Sequence, residues 1–493
     1  MAEEKEVYSP LLSPSSPSLH HEEEREVQQG CRTRGEATLQ EAKRLLWLAG
    51  PLIAANLLQR CIQMTSVMFV GHLGQLALSG ASMATSFITV TGFSVVLGLA
   101  TALDTLCGQA YGAKQYHMLG VYMQRSVFIL SIVSIPLAFL WAYTEKILLA
   151  FGQDDDISRE AGTYARWMIP TLFSYGILQS EVRFLQTQNI VLPMMLSTGL
   201  CALLHFLVCW ALVFKSGLGY RGAALANSIS YWINVLLLAL YIKFSSACNK
   251  SWTGFSRRAV RDVTNFIKLA APSAVMACFE WWSFEVLTLL AGLLPNPKVE
   301  TSVLAIILNT SSTAFMVPLG LASAVSTRVA NELGAGRPQA ARMAVRIVLL
   351  LVIVQATLVS MTIIFIRGVW GYAFSNDKEV AAYVADIMPL LALTAFVDAI
   401  GCVLSGVARG CGWQKYGAVI NLGAYYIVGV PLAVVLAFVL HSGGKGLWFG
   451  VTCAIFVQMG SFLALTIFTN WEEEAKKARD QVYISTLRTD GAM

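Results

Sequence analysis

The residues of this chain best suited to chemistry lie in the run FEWWSFE, from Phe279 to Glu285. Two carboxylates and two tryptophans there interrupt a largely apolar segment from Phe266 to Pro295. If that segment crosses a membrane as a helix, Glu280 lies close to the middle of the bilayer. A charge at that depth costs about 2.5–3.5 kcal/mol on insertion scales, so a carboxylate kept there indicates a functional site. Its simplest chemistry is the binding and release of a proton or another small cation.

The composition indicates that most of the chain lies in a membrane. Of its 493 residues, 56% are hydrophobic and only 13% are charged, and the mean hydropathy is +0.60. Soluble domains carry about 25% charged residues. The net charge of +5 is scattered and gives no sign of a nucleic-acid partner. The ten cysteines and six histidines have no metal-ligand spacing, so no metal site and no cofactor are expected.

Hydropathy predicts an all-α membrane protein of twelve transmembrane helices. These fall near residues 45–70, 77–108, 120–143, 161–187, 190–214, 220–243, 263–294, 301–332, 342–366, 379–408, 415–439 and 445–469. The predicted organisation is a disordered cytosolic tail at 1–40, an N-lobe at 41–243, a cytosolic linker at 244–262, a C-lobe at 263–470 and a cytosolic tail at 471–493. The linker is rich in Lys and Arg, which places it and both termini in the cytosol.

The two predicted lobes repeat one another. LAGP ending at Pro51 matches LAAP ending at Pro272, and GLATALDTLCGQAYGA from Gly98 matches GLASAVSTRVANELGA from Gly320. Because each lobe holds six helices, an even number, the two copies have the same orientation across the membrane. Parallel repeats of this kind build many secondary transporters, in which the substrate lies between the lobes.

The repeat exposes an asymmetry between the lobes. Counted from Pro51 and Pro272, Glu280 stands opposite Gln59. A second match, Tyr164 and Pro170 with Tyr383 and Pro389, places Asp398 opposite Gln179. The second lobe therefore keeps two ionisable side chains where the first has neutral equivalents. If Glu280 and Asp398 meet inside one bundle, mutual repulsion and burial would both favour the protonated form, and the two would titrate as a coupled pair. Glu280 and Asp398 are accordingly predicted to couple proton movement to transport.

Other polar and aromatic residues are weaker candidates for lining a substrate cavity, because such side chains also hold membrane helices together. Glu285 lies on a different helical face from Glu280, and the tryptophans could either stack on a flat aromatic substrate or only pack. The candidates for substrate contact are Gln59, Gln179, Glu285, Asn309, Trp281 and Trp282. No catalytic residue is predicted.

Three runs of sequence resemble the plant branch of the multidrug and toxic compound extrusion (MATE) family, the detoxification efflux carriers. They are FEWWSFEVLTLLAGLLPNPKVETSV, STRVANELGAG and LSGVARGCGWQKYGAVIN, and the resemblance extends over residues 40–470. It implies a V-shaped, two-lobed antiporter in which Glu280 and Asp398 carry the cation coupling. Many bacterial members place an essential acid in the first helix, whereas this chain has Asn56 and Gln59 there and no acid after Glu41.

The favoured function is a secondary active antiporter that exports organic solutes or xenobiotics in exchange for protons by alternating access. The alternatives are a sodium-coupled antiporter and a flippase for lipids or lipid-linked compounds, which should have a more cationic cavity. No phosphate-binding loop of the type GxxxxGK[ST] supports an ATP-driven pump, and no nucleophile–base pair supports an enzyme. The expected partners are a small organic substrate, protons or Na⁺, and the lipid bilayer. The expected form is a monomer in the plasma membrane or the vacuolar membrane.

Overall fold

The computed structural model describes residues 17–375 and 377–491, and this part of the chain consists of helices joined by turns, with no β-strand. Twelve long helices are followed by one further helix. They are α1 Pro17–Gly71, α2 Gln75–Gly112, α3 Tyr116–Ala142, α4 Asp155–Thr187, α5 Leu192–Lys215, α6 Tyr220–Phe244, α7 Val263–Ala291, α8 Pro297–Gly334, α9 Pro338–Trp370, α10 Lys378–Cys411, α11 Gln414–Val439, α12 Gly443–Phe468 and α13 Trp471–Asp490.

Eleven of these helices are long and apolar enough to cross a membrane, and they agree with the predicted spans to within several residues. The one predicted span that is not among these eleven is the fourth, α4, which is long enough to cross a membrane but too polar in composition. Its 33 residues, about 50 Å at 1.5 Å per residue, include acidic and basic side chains at both ends. Those at its inner end, Glu181 and Arg183, lie inside the protein. Burial against other helices, and not exposure to lipid, explains why α4 tolerates them.

The first helix begins earlier than the first predicted span. Its backbone is helical from Pro17, within the segment 1–40 whose composition predicts a disordered tail. The run HEEEREVQQ there is rich in Glu, Gln and Arg, which favour helix, and it continues directly into α1. Residues 1–16, which include an acidic dileucine-like pattern at Leu11-Leu12, lie outside the described residues.

The internal repeat is visible in matching contacts within each half of the bundle. In the N-terminal half, α1–α6, the hydroxyls of Thr171 on α4 and Ser228 on α6 are 2.7 Å apart. In the C-terminal half, α7–α12, those of Thr394 on α10 and Thr452 on α12 are also 2.7 Å apart. The same pairs of helices are thus joined in each copy, as the sequence repeat predicts. Thr171 and Thr394 are 223 residues apart, however, whereas the matched prolines of α4 and α10 are 219 apart, so in the structure Asp398 corresponds to Tyr175 and not to Gln179.

The halves meet most tightly where α2 and α8 end, at the end of the bundle that also carries α13. A Cβ atom at Gly112 would overlap the backbone oxygen of Asn331, and one at Gly334 would overlap that of Gln109. These contacts are related by the repeat, because Gly112 matches Gly334 and Gln109 matches Asn331. We call this end of the bundle the α13 face. Only glycine allows the two backbones to approach so closely there.

Candidate functional site

Asp398 lies in the interior of the C-terminal half. It is on α10, its side chain is 8% exposed, and it borders a narrow cavity between α8, α9 and α10. Ser311, Pro318 and Gln355 line the same cavity. Within the described part of the chain, no hydrogen-bond donor and no cationic group contacts the Asp398 carboxylate. A buried carboxylate in such surroundings is costly when ionised and inexpensive when protonated.

Glu280 on α7 faces a small polar network on α11 and α12. The side-chain amide of Gln458 donates to Glu280 Oε2 over a long 3.4 Å and to Asn421 Oδ1 at 2.9 Å. The hydroxyl of Tyr425 donates to Gln458 Oε1 at 3.1 Å. The Gln458 amide can therefore respond to the charge of Glu280. It donates to Glu280 when that side chain is ionised, and its bonds to Asn421 and Tyr425 hold it in place when Glu280 is protonated.

The two carboxyl groups share one interior. Asp398 and Glu280 lie close enough to interact electrostatically, and Tyr425 interacts with both of them. Arg409 interacts electrostatically with Glu280 but forms no ion pair with either carboxylate. It lies three turns after Asp398 on α10. Desolvation and mutual repulsion make simultaneous ionisation of the two groups unfavourable.

The matching glutamines of the N-terminal half border aromatic side chains instead. Gln59 donates to the Tyr231 hydroxyl at 2.7 Å. Tyr231 packs against Tyr175, with ring centroids 5.8 Å apart, and against Phe93 at 6.5 Å. Gln179 lies one helical turn after Tyr175 and is half-buried. Gln59 is therefore the neutral counterpart of Glu280, and the residue at the level of Asp398 in the N-terminal half is Tyr175.

Among the candidates on α7, Trp282 and Glu285 connect the two halves. The indole N–H of Trp282 donates to the Ser94 hydroxyl of α2 at 3.2 Å. Glu285 faces Ser86, which also lies on α2. Trp281 is half-buried, and no described residue hydrogen-bonds its indole. Trp282 therefore packs against α2 in this conformation, whereas Trp281 makes no such contact through its indole N–H among the described residues.

The remaining candidate, Asn309, identifies a residue that the sequence analysis missed. Asn309 is exposed on α8 and accepts a hydrogen bond of 3.0 Å from Nη2 of Arg60 on α1. Arg60 is a lone cation in the apolar part of α1. The signal that could have identified Arg60 is its isolation, because a single arginine in an otherwise apolar membrane helix is rare.

A second group of charges that the sequence analysis did not identify closes the α13 face. Asp104 on α2 is 2% exposed; its Oδ1 lies 3.4 Å from Nε of Arg183 on α4, and its Oδ2 lies 3.7 Å from Nε of Arg409 on α10. One carboxylate thus holds an arginine from each half. The repeat offered a hint, because the residue matching Asp104 in the second copy is the uncharged Ser326.

A neighbouring ion cluster joins α1 to α8. Arg328 donates to both oxygens of Glu41, at 2.8 and 2.9 Å, and contacts Glu332 at 2.9 Å. Arg337 completes the cluster at 2.7 Å from Glu332. Together with the Asp104 contacts, these pairs hold the two halves together at the α13 face. The arrangement is that of a molecule closed at this end.

Two similar halves of six helices, a buried acidic interior and a sealed seam at one end define a membrane transporter. The MatE family model matches this chain twice, over residues 51–211 and 272–435, once in each half. The chain is 58% identical to Protein DETOXIFICATION 16 of Arabidopsis thaliana over 454 residues, which cover 92% of this chain and 93% of that protein. It is 55% identical to Protein DETOXIFICATION 17 of the same plant, with 90% and 93% covered.

Solved structures give the same result. The crystal structure of the eukaryotic MATE transporter AtDTX14 superposes with a TM-score of 0.88 at 48% identity, covering 90% of this chain and 99% of that one. The fold extends to a mutant form of the Vibrio cholerae MATE transporter VcmN, with a TM-score of 0.79 at 16% identity, covering 89% and 99%. The chain belongs to the MATE family. It is a two-lobed, multi-pass efflux transporter of small organic substrates, and not an enzyme.

Substitution of Gly112 by valine is expected to hold the α13 face open. The added side chain overlaps the Asn331 backbone, which cannot move aside as a flexible side chain would. Cys411, buried at the same face, should then react with maleimide at least ten-fold faster, as read by peptide mass spectrometry. Gly50→Val is the control, because a Cβ atom there meets open space. Unchanged reactivity of Cys411 in Gly112→Val would show that the α13 face tolerates a side chain at this position.

Proposed function

We propose that this transporter exports organic solutes in exchange for protons, and that Glu280 and Asp398 carry the coupling. The observation that supports this most directly is the presence of a buried and a half-buried carboxylate, Asp398 and Glu280, in one half, with no cation in ion-pair contact with either among the described residues. Intramembrane acids that serve structure alone are paired with cations or hydrogen-bonded throughout. Two carboxylates that repel each other and have no ion-pair partner are suited to take up a proton from one face of the membrane and release it to the other.

Protonation would act on the shape of the C-terminal half. With both carboxyls ionised, Glu280 attracts the Gln458 amide, and Asp398 disfavours close packing of α8 and α9 around its narrow cavity. A bound proton removes the repulsion and allows that packing to tighten. Each unit of pH difference supplies about 1.4 kcal/mol per proton, so one or two protons suffice to bias two conformations of similar energy.

The proposed orientation places the α13 face in the cytosol. The connection at 244–262 carries four cationic residues and one acid, as expected for a cytosolic segment. We propose lobes at 41–243 and 263–470 that rock about the cavity between them. One copy contains both lobes and the whole carboxyl pair, so a monomer would suffice. Plasma and vacuolar membranes both fit, since each has its acidic side away from the cytosol.

Sodium coupling is the alternative to be separated by experiment. The purified chain in proteoliposomes is given a pH gradient in sodium-free buffer, and in a parallel sample a sodium gradient at equal pH on both sides. The proposal expects substrate flux in the first condition at least ten times that in the second. Flux that requires sodium and ignores the pH gradient would replace the proton proposal with the sodium alternative.

A further inference from the structure

We propose that Arg60 is an anion-recognition residue between the two halves, and that the substrates of this transporter include organic anions, in particular aromatic carboxylates. The inference rests on the proposed transport function and names its substrate class. It depends on the placement of Arg60, on the absence of a counter-charge around it among the described residues, and on its aromatic neighbours.

Arg60 lies deep in the membrane-spanning part of α1. It precedes the end of that helix at Gly71 by about three turns, roughly 16 Å, which is about half the thickness of the hydrocarbon layer. An arginine at that depth is rare, and where one occurs it faces the protein interior or a water-filled cavity and is paired. Its depth therefore calls for an anionic partner.

The protein supplies no such partner in this conformation within the part of the chain that the structure describes. The guanidinium contacts two neutral amides, Asn309 Oδ1 at 3.0 Å and Gln63 Oε1 at 3.5 Å. Its Nε–H group is buried and has no acceptor among the described residues, where no carboxylate lies within ion-pair distance. By contrast, Arg183, Arg328 and Arg409 each contact an acidic residue. Arg60 thus keeps an uncompensated charge and unused donors.

The surroundings of Arg60 are polar on both sides of the seam between α1 and α8. Asn309 and Thr313 lie one turn apart on the same face of α8, and both are exposed. Gln63 is exposed on α1. A polar stripe contributed by two apolar helices indicates a water-accessible cleft and not a surface covered by lipid. A solute entering between the halves would reach the guanidinium there.

The neighbouring side chains favour an aromatic solute. Gln63 contacts both Arg60 and Tyr231, and Tyr231 belongs to the cluster with Tyr175 and Phe93 described above. A flat ring can pack on such a cluster while a carboxylate on that ring accepts two parallel N–H bonds from the guanidinium. The acidic side chains Glu280 and Glu285 lie on α7 and do not contact this seam.

The proposed exchange is electrically consistent. A proton entering the cytosol and an organic anion leaving it both move positive charge inward. A membrane potential that is negative on the cytosolic side therefore favours both movements. An exported cation would instead oppose the charge carried by a single proton.

The test uses equilibrium binding to the purified full chain, with coumarin-3-carboxylate, its neutral carboxamide and the cation ethidium as probes. Wild type is expected to bind the carboxylate at least ten-fold more tightly than the carboxamide. Arg60→Gln should remove that preference without weakening carboxamide binding. Arg60→Lys should keep part of it, because lysine retains the charge but not the bidentate geometry. Thermal melting of each variant checks folding. If Arg60→Gln is unstable, a reduced preference for the carboxylate in Arg60→Lys still tests the proposal.

Three outcomes would overturn the proposal. Equal loss of affinity for all three probes in Arg60→Gln would make the residue a structural part of the seam. A wild-type preference for ethidium would refute the substrate class. In liposomes, competition by phosphatidylglycerol but not by phosphatidylcholine, lost in Arg60→Gln, would make this a lipid-headgroup site. Binding at equal pH does not depend on proton coupling, so failure here and failure of the Glu280–Asp398 proposal remain distinguishable.

Discussion

Replacing Asp398 by asparagine is expected to abolish transport driven by a pH gradient, with a fall in flux of at least 100-fold. Asparagine has nearly the shape of a protonated aspartic acid but cannot release or take up a proton. The side chain is 8% exposed, and no described residue hydrogen-bonds it, so the substitution removes no contact. Since burying an ionised carboxylate is unfavourable, the variant should be as stable as the wild type or more so.

Proteoliposome flux under a pH gradient measures this loss, and substrate counterflow at equal pH provides the internal control. Counterflow needs the protein to bind substrate and change conformation but needs no net proton movement. Asp398→Asn should therefore lose gradient-driven flux and retain counterflow. Loss of both activities in a variant with an unchanged melting temperature would mean that Asp398 acts in the conformational change and not in coupling.

The matched test on the partner carboxylate is Glu280→Gln, for which the same pattern is expected. A glutamine there still accepts the hydrogen bond from Gln458, so the network on α11 and α12 keeps its shape. In the N-terminal half, Gln59→Ala and Gln179→Ala should alter substrate affinity or range while proton-driven flux persists. Equal loss of coupling from the glutamine variants would refute the asymmetry between the halves.

Much of the fold could be read from the sequence, because each span is a local property of the chain. The apolar run ending near Gly71 or beginning near Val263 is visible in isolation. The repeat added the pairing of positions between the halves, and with it the contrast between Glu280 and Gln59; on α4 and α10 the proline match was four residues out of register with the structure. The polar helix α4 was the hardest span to assign by hydropathy, because its charged ends are hidden by neighbours that a window of sequence does not contain.

The contacts that close the α13 face could not be predicted in the same way. The partners of Asp104 lie far away in the chain, one on α4 and one on α10, and nothing in the local sequence connects them. Arg409 lies near the end of its helix, but nothing in the neighbouring sequence indicates its carboxylate partner. Such pairs depend on how two halves dock, which is a property of the assembled bundle.

The substitution Asp104→Asn is expected to open the α13 face. It leaves the guanidinium groups of Arg183 and Arg409 next to one another without the carboxylate that separates them, and these side chains are only 12% and 16% exposed. Removing one member of a buried ion pair costs about 3–5 kcal/mol. The longer contacts here, 3.4 and 3.7 Å, place the effect at the lower end of that range. A cost of about 3 kcal/mol shifts the closed-to-open ratio by roughly 100-fold.

The opening can be followed by the reactivity of Cys411, which is buried at the same face in the half opposite Asp104. Maleimide labelling should accelerate in Asp104→Asn, and turnover should fall at least ten-fold because the state closed at this face becomes rare. Asp386→Asn is the control: it removes a surface ion pair to Lys445 in which Asp386 is 69% exposed, so it should change neither property.

A second substitution tests the cause. If the opening comes from repulsion between the two arginines, adding Arg409→Gln to Asp104→Asn should restore much of the closed state, although it removes a further polar group from the seam. Strict additivity of the two substitutions would instead assign the effect to lost contacts. Recovery in the double variant would identify Asp104 as the residue that lets two cationic surfaces close on each other. The free energy by which the Asp104 contacts stabilise the closed α13 face would then have to be offset by proton binding at Glu280 and Asp398 in each transport cycle.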